Sequence, residues 1–145
     1  MKIAVSACLL GYNCKYNGGN NYNQRIIELE GKYELVPICP ECFGGLTTPR
    51  FPSEIINKEN VIKVISKEGK DVTMNFIEGA RIAYNIIEKN NIKYAILKSN
   101  SPSCGVGKIY DGSFTGKIVD GDGVTSKLFK EKGIVLFTEN DDINI

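Results

Sequence analysis

The 145-residue chain contains no histidine. Histidine is the side chain that most often serves as general base, triad member or metal ligand near neutral pH. Any proton transfer must therefore come from carboxylates, lysine, tyrosine, cysteine or water. Any metal site must rely on sulfur or oxygen ligands.

The chain also lacks a long hydrophobic run and an excess of charge. No stretch approaches the ~18 apolar residues of a membrane span, and the apolar run before Cys8 is shorter than the ~7–15 residues of a secretion-signal core. Lys and Arg number 18 and Asp and Glu number 17, so the net charge of +1 gives no argument for an obligatory nucleic-acid or membrane partner. We therefore expect a cytoplasmic protein.

Length and composition suit one globular domain. A chain of 145 residues, 42% hydrophobic and 24% charged, is long enough for a single sizeable core. No repeat, low-complexity tract or linker divides the sequence. We expect residues 1–145 to form one domain.

Short apolar runs alternate with helical patterns along the chain. The runs are typical of strands buried on both faces, and they cover residues 3–5, 33–38, 94–97 and 134–137. Helical spacing predicts helices over residues 23–30, 74–89 and 124–132. The alternation predicts an α/β fold with a doubly wound, mainly parallel sheet of the Rossmann-like kind.

Smaller features are predicted around this sheet. Residues 61–65 and 71–72 are expected to form one hairpin, and residues 108–110 and 117–119 a second. Thr73 is the expected cap of the long helix, and Gly31 and Gly133 are expected to end the other two.

Five cysteines are an odd number, so they cannot all pair. In the cytoplasm, reduced cysteines indicate metal binding or catalysis rather than disulfides. Cys8 follows the first predicted strand, Cys39 the second, and Cys104 lies in the loop after the third. Because open parallel sheets bind ligands at the carboxyl ends of their strands, we expect these three thiols to meet there.

The cysteine spacing leaves several kinds of chemistry open. Cys39-Pro40-Glu41-Cys42 could complete a Cys₄ zinc site with Cys8 and Cys14, or act as a redox dithiol. Neither role accounts for Cys104, which lies in the small, polar loop Ser101-Pro102-Ser103-Cys104-Gly105. Hydroxyls and amides beside cluster sulfurs are typical of iron–sulfur centres, whereas each thiol alone could be an inert buried group.

Three segments extend these motifs. They are Val5-Ser6-Ala7-Cys8-Leu9-Leu10-Gly11 followed by Lys15-Tyr16-Asn17-Gly18, then Cys39-Pro40-Glu41 with Gly45-Leu46 and Pro49-Arg50, and finally Leu97-Lys98 with the Ser101–Gly105 loop. Together, in this order, they resemble the stand-alone thiouracil desulfidase family (TudS-like). The resemblance runs along essentially the whole chain.

The resemblance implies an enzyme that removes sulfur from thiolated uracil compounds without net redox change, converting 4-thiouridine monophosphate to UMP and sulfide. It also implies a 4Fe–4S cluster held by three cysteines, with one iron left open for the substrate sulfur. The residues that carry over are Cys8, Cys39 and Cys104 as ligands, Glu41 as the acidic catalytic residue and general acid/base, and Ser101, or else Ser103, as the catalytic serine.

Other positions are assigned less directly. Cys14 and Cys42 stand where the family varies or has an apolar residue, so the resemblance implies that neither is a ligand, and Asn17 stands where aspartate is common. Loop amides and cations near the motifs are candidates for binding the substrate, and they are Lys15, Gly18, Gly19, Arg50 and Lys98. The expected partner is therefore a small molecule, a thiolated uracil or its nucleotide.

Two other functions remain open at this point. One is a non-catalytic binding module stabilised by a Cys₄ zinc site. The other is an iron–sulfur protein that carries sulfur or electrons to a partner.

Overall fold

The computed structural model describes all 145 residues. In chain order its elements are β1 (Lys2–Ser6), α1 (Gln24–Ile27), β2 (Glu34–Ile38), α2 (Pro40–Phe43), β3 (Ser53–Lys58), β4 (Val61–Ser66), α3 (Thr73–Lys89), β5 (Tyr94–Leu97), β6 (Lys108–Tyr110), β7 (Ile118–Asp120), α4 (Val124–Glu131) and β8 (Val135–Thr138). Short 3-10 turns cover Ala7–Leu10 and Glu28–Gly31. None of the helices has the length and apolar content that crossing a membrane requires.

The centre of the fold is a four-stranded parallel sheet in the order β2-β1-β5-β8. These are the four strands that the apolar runs predict. The chain moves from β1 to β2 on one side and later returns to β5 on the other side of β1. The direction of winding therefore reverses between β1 and β5, which is where open α/β sheets form their binding crevices.

Helical segments cover both faces of this sheet, as the doubly wound prediction requires. On one face, the small residues Ala4 and Ala95 pack in a cluster with Ala83 of α3 and Phe129 of α4. On the other face, β1, β5 and the Ala7–Leu10 turn pack around Ile26 of α1. Side chains of successive strand residues point to opposite faces, so each strand contributes to both clusters. The predicted α/β fold class is confirmed.

Two antiparallel hairpins lie beside the sheet and share a third apolar cluster. Ile55, Val64 and Ile109 from the hairpins pack there against Phe76 of α3. The predicted β6–β7 hairpin is confirmed.

The partner of β4 was predicted wrongly. β4 pairs along its whole length with β3, from Ser53–Ser66 to Lys58–Val61, and only a single bridge joins Ile65 to Asp71. The connection is a two-residue turn in which Glu59 and Asn60 both have positive φ, at 50° and 65°. Such left-handed pairs fit the twist of a hairpin, although they usually contain glycine, so this turn gave no sequence signal.

Helix ends also differ from the prediction. The segment 23–30 is α-helical only over Gln24–Ile27 and then tightens into the 3-10 turn that contains Gly31. Thr73 is the first residue of α3 rather than its cap, and its amide donates to Oδ1 of Asp71 at 2.9 Å. Gly133 does follow α4 with φ 79°, as a helix-ending glycine should.

Candidate active site

A cavity of about 490 Å³ opens at the carboxyl ends of the central strands. Cys8 follows β1, Cys39 follows β2 and Cys104 lies in the loop after β5, and all three line this cavity. The five cysteines of the chain are free thiols. The structure thus brings the three predicted ligands together from three separate loops.

The environment of these thiols suits ligands better than free nucleophiles. Burial raises the pKa of the Cys8 thiol, and it raises the pKa of the Cys104 thiol to about 12. A hydrogen bond with Cys14, together with burial, also raises the pKa of Cys39 far above its ordinary value. Protonated thiols are poor nucleophiles, whereas a bound metal removes the proton outright. Burial also raises the pKa of Cys42, so both thiols of the C-x-x-C motif have raised pKa values, which argues against a redox dithiol at Cys39 and Cys42.

The spacing of the thiols argues against a single metal ion. No three cysteine, aspartate or glutamate side chains lie close enough together to hold one. The Cys42 thiol does not line the cavity and lies 3.6 Å from Oγ1 of Thr48, and the cysteines do not converge as a Cys₄ zinc site would require. Thiols spread around a cavity fit a larger inorganic group, and a cysteine donor set is the one that iron–sulfur clusters use.

A tight contact between α2 and α3 positions Cys39 and its neighbours. A Cβ atom on Gly79 would lie 1.8 Å from the Pro40 carbonyl oxygen, and one on Gly44 would lie 1.9 Å from the Asn75 carbonyl oxygen. The Asn75 side chain also donates a hydrogen bond to the Gly44 carbonyl at 2.9 Å. Only glycine allows the backbones of α2 and α3 to lie this close. The contact fixes the position of α2, which begins directly after Cys39.

Glu41, the second residue of α2, lines the cavity. Nε of Arg50 donates a hydrogen bond to its Oε1 at 3.2 Å, and the Glu41 side chain is 19% exposed. Burial raises the pKa of Glu41 above its ordinary value, although Arg50 opposes this. A carboxyl group with a raised pKa is better able to exchange protons near neutral pH.

Arg50 also lines the cavity, yet most of its donors bind the protein itself. Besides Glu41, they contact the Thr47 carbonyl at 3.2 Å, Oγ1 of Thr48 at 2.9 Å and the Cys14 carbonyl at 2.9 Å. A guanidinium group has five N–H donors, so these contacts leave little capacity for the substrate. The structure indicates that Arg50 holds Glu41 and the Cys14 loop in place.

The serine-rich loop presents one of its two candidate serines to the cavity. Oγ of Ser101 lines the cavity and accepts hydrogen bonds from the amides of Ser103 at 3.1 Å and Cys104 at 3.0 Å. Its own hydroxyl proton remains free to be donated. Ser103 is buried away from the cavity, with its Oγ 3.1 Å from Oγ1 of Thr125.

Both candidate substrate-binding lysines, Lys15 and Lys98, line the cavity, but only Lys98 is paired with a carboxylate. Nζ of Lys98 forms an ion pair with Oε2 of Glu139 at 3.2 Å and donates to the Ser99 carbonyl at 3.0 Å. Nζ of Lys15 lies 5.7 Å from the centre of the Tyr16 ring and has no carboxylate partner within 4 Å. Lys15 is therefore the cation more available to an anionic substrate.

The structure does not bring Gly18 and Gly19 to the cavity. The Gly18 amide donates to the Lys15 carbonyl at 2.9 Å, and the Gly19 amide donates to Oδ1 of Asn17 at 2.9 Å. Both donors that were expected to bind phosphate are thus already used within their own turn.

The hairpins form a wall of the cavity that sequence reasoning missed. Glu54 of β3, Lys67 after β4, Tyr110 of β6 and Phe114 in the β6–β7 loop all line it. The available signal was Phe114 itself, an aromatic residue in the otherwise small and polar run Gly112-Ser113-Phe114-Thr115-Gly116.

Comparison with known proteins gives three similarities. The family model described as 2-thiouracil desulfurase matches residues 3–141. The uncharacterized protein YbbK of Bacillus subtilis (strain 168) is 42% identical, with 96% of each chain covered. A solved structure of TudS, a [4Fe-4S]-dependent thiouracil desulfidase, superposes with a TM-score of 0.86 at 39% identity, covering 96% of this chain and 91% of that one.

The family match extends over the elements that build the cavity, from β1 to the end of β8. The family match includes the three cavity-lining thiols, Glu41 and the serine-rich loop. This chain belongs to the 2-thiouracil desulfurase family.

Proposed function

We propose that this protein removes sulfur from thiolated uracil compounds, and that it converts 4-thiouridine monophosphate to UMP and sulfide. The observation that carries the proposal is the convergence of Cys8, Cys39, Cys104 and Glu41 on one cavity at the carboxyl ends of the strands. Family membership and the likeness to a [4Fe-4S]-dependent thiouracil desulfidase support it.

The three thiols are the groups that would hold a 4Fe–4S cluster, because they surround the cavity and belong to separate loops. Three protein ligands leave one of four irons without a protein ligand. When bound, such a cluster supplies a Lewis-acidic iron with affinity for a soft thiocarbonyl sulfur.

The overall reaction exchanges sulfur for oxygen at a ring carbon. A carbon–oxygen bond to water forms, the carbon–sulfur bond breaks, and the two protons of water leave with sulfur as hydrogen sulfide. The carbon keeps its oxidation state, so no electron donor or acceptor is consumed. The reaction is therefore a hydrolytic carbon–sulfur cleavage.

Glu41 is the group that we assign to proton transfer. It lies in the cavity wall, its pKa is raised by burial, and Arg50 fixes its carboxylate. It would take a proton from the attacking water and return it to the ring nitrogen or the departing sulfur. Ser101 would orient the water or the substrate with its free hydroxyl proton.

The dimensions and charges of the cavity suit a nucleotide-sized substrate. Its volume of about 490 Å³ lies within the ~300–1,000 Å³ of small-molecule sites. Lys15 offers a positive charge for the phosphate, whereas Lys98 is already paired with Glu139.

The test is anaerobic purification followed by iron and sulfide analysis and a sulfide-release assay with 4-thiouridine monophosphate. We expect about four irons per chain and sulfide release, both lost in Cys104→Ser. Cys42→Ser is the matched control, because Cys42 belongs to the same motif as Cys39 but does not line the cavity. Iron without sulfide release would favour a sulfur or electron carrier, and one zinc per chain would refute the proposal.

A further inference from the structure

The β6–β7 loop places an aromatic side chain in the cavity wall without using it in the core. Phe114 and Tyr110 line the cavity, and neither belongs to any of the three apolar clusters of the fold. Phe114 is nevertheless only partly exposed, because it faces the cavity rather than open solvent. The Phe114 side chain therefore contributes to the cavity wall rather than to the packing between helices and strands.

The backbone holds Phe114 in a conformation that bulky residues rarely adopt. Its φ of 58° lies in the left-handed region, which is costly for a side chain of this size. Such a conformation persists only where the surroundings impose it. The position of the ring is thus built into the fold.

Glu54 imposes that conformation. Its Oε1 accepts hydrogen bonds from the Gly112 amide at 2.9 Å and from the Phe114 amide at 3.2 Å. Glu54 is buried, at 8% exposure, although it lies on a short hairpin strand. A buried carboxylate that accepts hydrogen bonds from two amides of the same loop fixes that loop to β3.

Close packing adds to this restraint. A Cβ atom on Gly112 would lie 2.9 Å from the Ile55 carbonyl oxygen, so the loop backbone lies directly against β3. Within the loop, Oδ1 of Asp111 accepts a hydrogen bond from the Ser113 amide at 2.9 Å. The ring of Phe114 is therefore preorganised before any ligand arrives.

We propose that Phe114 is the face on which the pyrimidine ring of the substrate stacks, and that Glu54 is the positioning residue that holds it there. That the stacked ring is a pyrimidine rests on the proposed function. Phe114 lines the same cavity as the thiols and Glu41. A ring stacked on Phe114 therefore has its reacting carbon in the cavity that these groups also line. Stacking does not distinguish sulfur from oxygen on the ring, so product and substrate use the same face.

The binding test uses the absence of tryptophan from the chain. In cluster-loaded Phe114→Trp, the new indole is the only tryptophan and reports on ring stacking by its fluorescence. Ile118→Trp is the matched control, because Ile118 belongs to the same hairpin, is 39% exposed and does not line the cavity. We expect UMP to quench only Phe114→Trp and ribose 5-phosphate to quench neither. No quenching of Phe114→Trp by UMP, or equal quenching of both variants, would overturn the proposal.

The kinetic test separates stacking from chemistry. Phe114→Ala should raise the KM for 4-thiouridine monophosphate by roughly 10-fold or more, with a smaller change in kcat and an unchanged iron content. UMP should lose affinity by a similar factor as a competitive inhibitor. A KM and a UMP inhibition constant equal to those of the wild type would overturn stacking on Phe114 while the desulfidase proposal stands. A wild-type protein without sulfide release would overturn the desulfidase proposal. The fluorescence titration would still decide whether a pyrimidine ring stacks on Phe114.

The role of Glu54 is tested by coupling to Phe114. Glu54→Ala should raise KM in the same direction, and the double variant Glu54→Ala/Phe114→Ala should be no worse than Phe114→Ala alone. Glu54→Gln keeps the accepting oxygen and should recover most of the lost affinity. Additive effects in the double variant, or a Glu54→Gln variant as weak as Glu54→Ala, would show that Glu54 does not act through Phe114.

Discussion

Arg50 donates a hydrogen bond from Nε to Oε1 of Glu41 at 3.2 Å, within the wall of the cavity that the three thiols also line. The two side chains are 9% and 19% exposed, so the pair is largely removed from water. Arg50 is itself held by the backbone carbonyl of Cys14, which joins the carboxylate to the loop after β1. The catalytic role that we propose for Glu41 and the structural role of its pairing with Arg50 can be separated by substitution.

Replacing Glu41 by glutamine tests its catalytic part. Glu41→Gln keeps the oxygen that accepts from Arg50 but removes the proton-transfer group, so kcat for sulfide release should fall by about 10²-fold or more. Iron content should not change. Glu78→Gln, on the exposed surface of α3, is the control and should release sulfide at the wild-type rate. A Glu41→Gln variant with full activity would assign proton transfer elsewhere.

Removing Arg50 tests the structural part. Arg50→Met leaves the buried Glu41 carboxylate without its partner, so the free energy of unfolding should fall by roughly 2 kcal/mol or more. The double variant Glu41→Gln/Arg50→Met removes the unpaired charge as well and should be more stable than Arg50→Met alone. Urea denaturation measures both differences. If the double variant were the less stable of the two, the ion pair would not explain the loss.

The glycine contact between α2 and α3 gives a third prediction. Gly79→Ala places a methyl group where the Pro40 carbonyl oxygen lies, so the turn bearing Cys39 and Glu41 must move. We expect a loss of about 1–3 kcal/mol in stability, as for overpacked cores, together with reduced iron content. Gly31→Ala is the control, because its Cβ would meet no atom within 4 Å. Equal melting temperatures for the two variants would contradict the close contact.

Glu139 gives the stability of the fold a dependence on pH. Burial raises its pKa, but hydrogen bonds from Ser99 and the charge of Lys98 outweigh this and leave the pKa below its ordinary value. A lowered pKa stabilises the folded state above the unfolded value of about 4.3, and this contribution is lost as the pH falls through the folded value.

Glu139→Gln should therefore lower the free energy of unfolding near pH 7 by about 1 kcal/mol, since hydrogen bonds to a charged group are lost. The difference from the wild type should shrink between about pH 4.3 and lower values, where the wild-type carboxyl is also protonated. Urea denaturation at a series of pH values measures this. A difference that stays constant across the series would rule out the charge of Glu139 as its source.

The central sheet was predictable because its strands are continuous apolar runs. Strand β3 was not, because its adjacent residues Ile55 and Ile56 neither alternate with polar residues nor extend into a longer run. The helix α2 is a single turn of four residues and is too short for any periodic pattern to appear. Both were missed because their stability comes from tertiary contacts and not from local sequence.

The candidate site was predictable to the extent that its residues follow strands. The placement of Cys8, Cys39 and Cys104 comes directly from the parallel order of the sheet. An aromatic residue in a small and polar loop was the only sequence signal for Phe114, and its place in the cavity wall depends on how a separate hairpin packs against β3. The engagement of the Gly18 and Gly19 amides likewise depends on a turn conformation that composition does not determine.

The separation of Cys39 from Cys104 along the chain bears on how the protein matures. Between them the ribosome must make the β3–β4 hairpin and α3, the longest helix of the protein. A nascent chain that exposes only the first two of these thiols has no cavity, because the third reaches it only when β5 has joined β1. With the ligand set that we propose, iron–sulfur loading requires β5 to have joined the sheet, so a variant that misfolds at β5 would purify without iron.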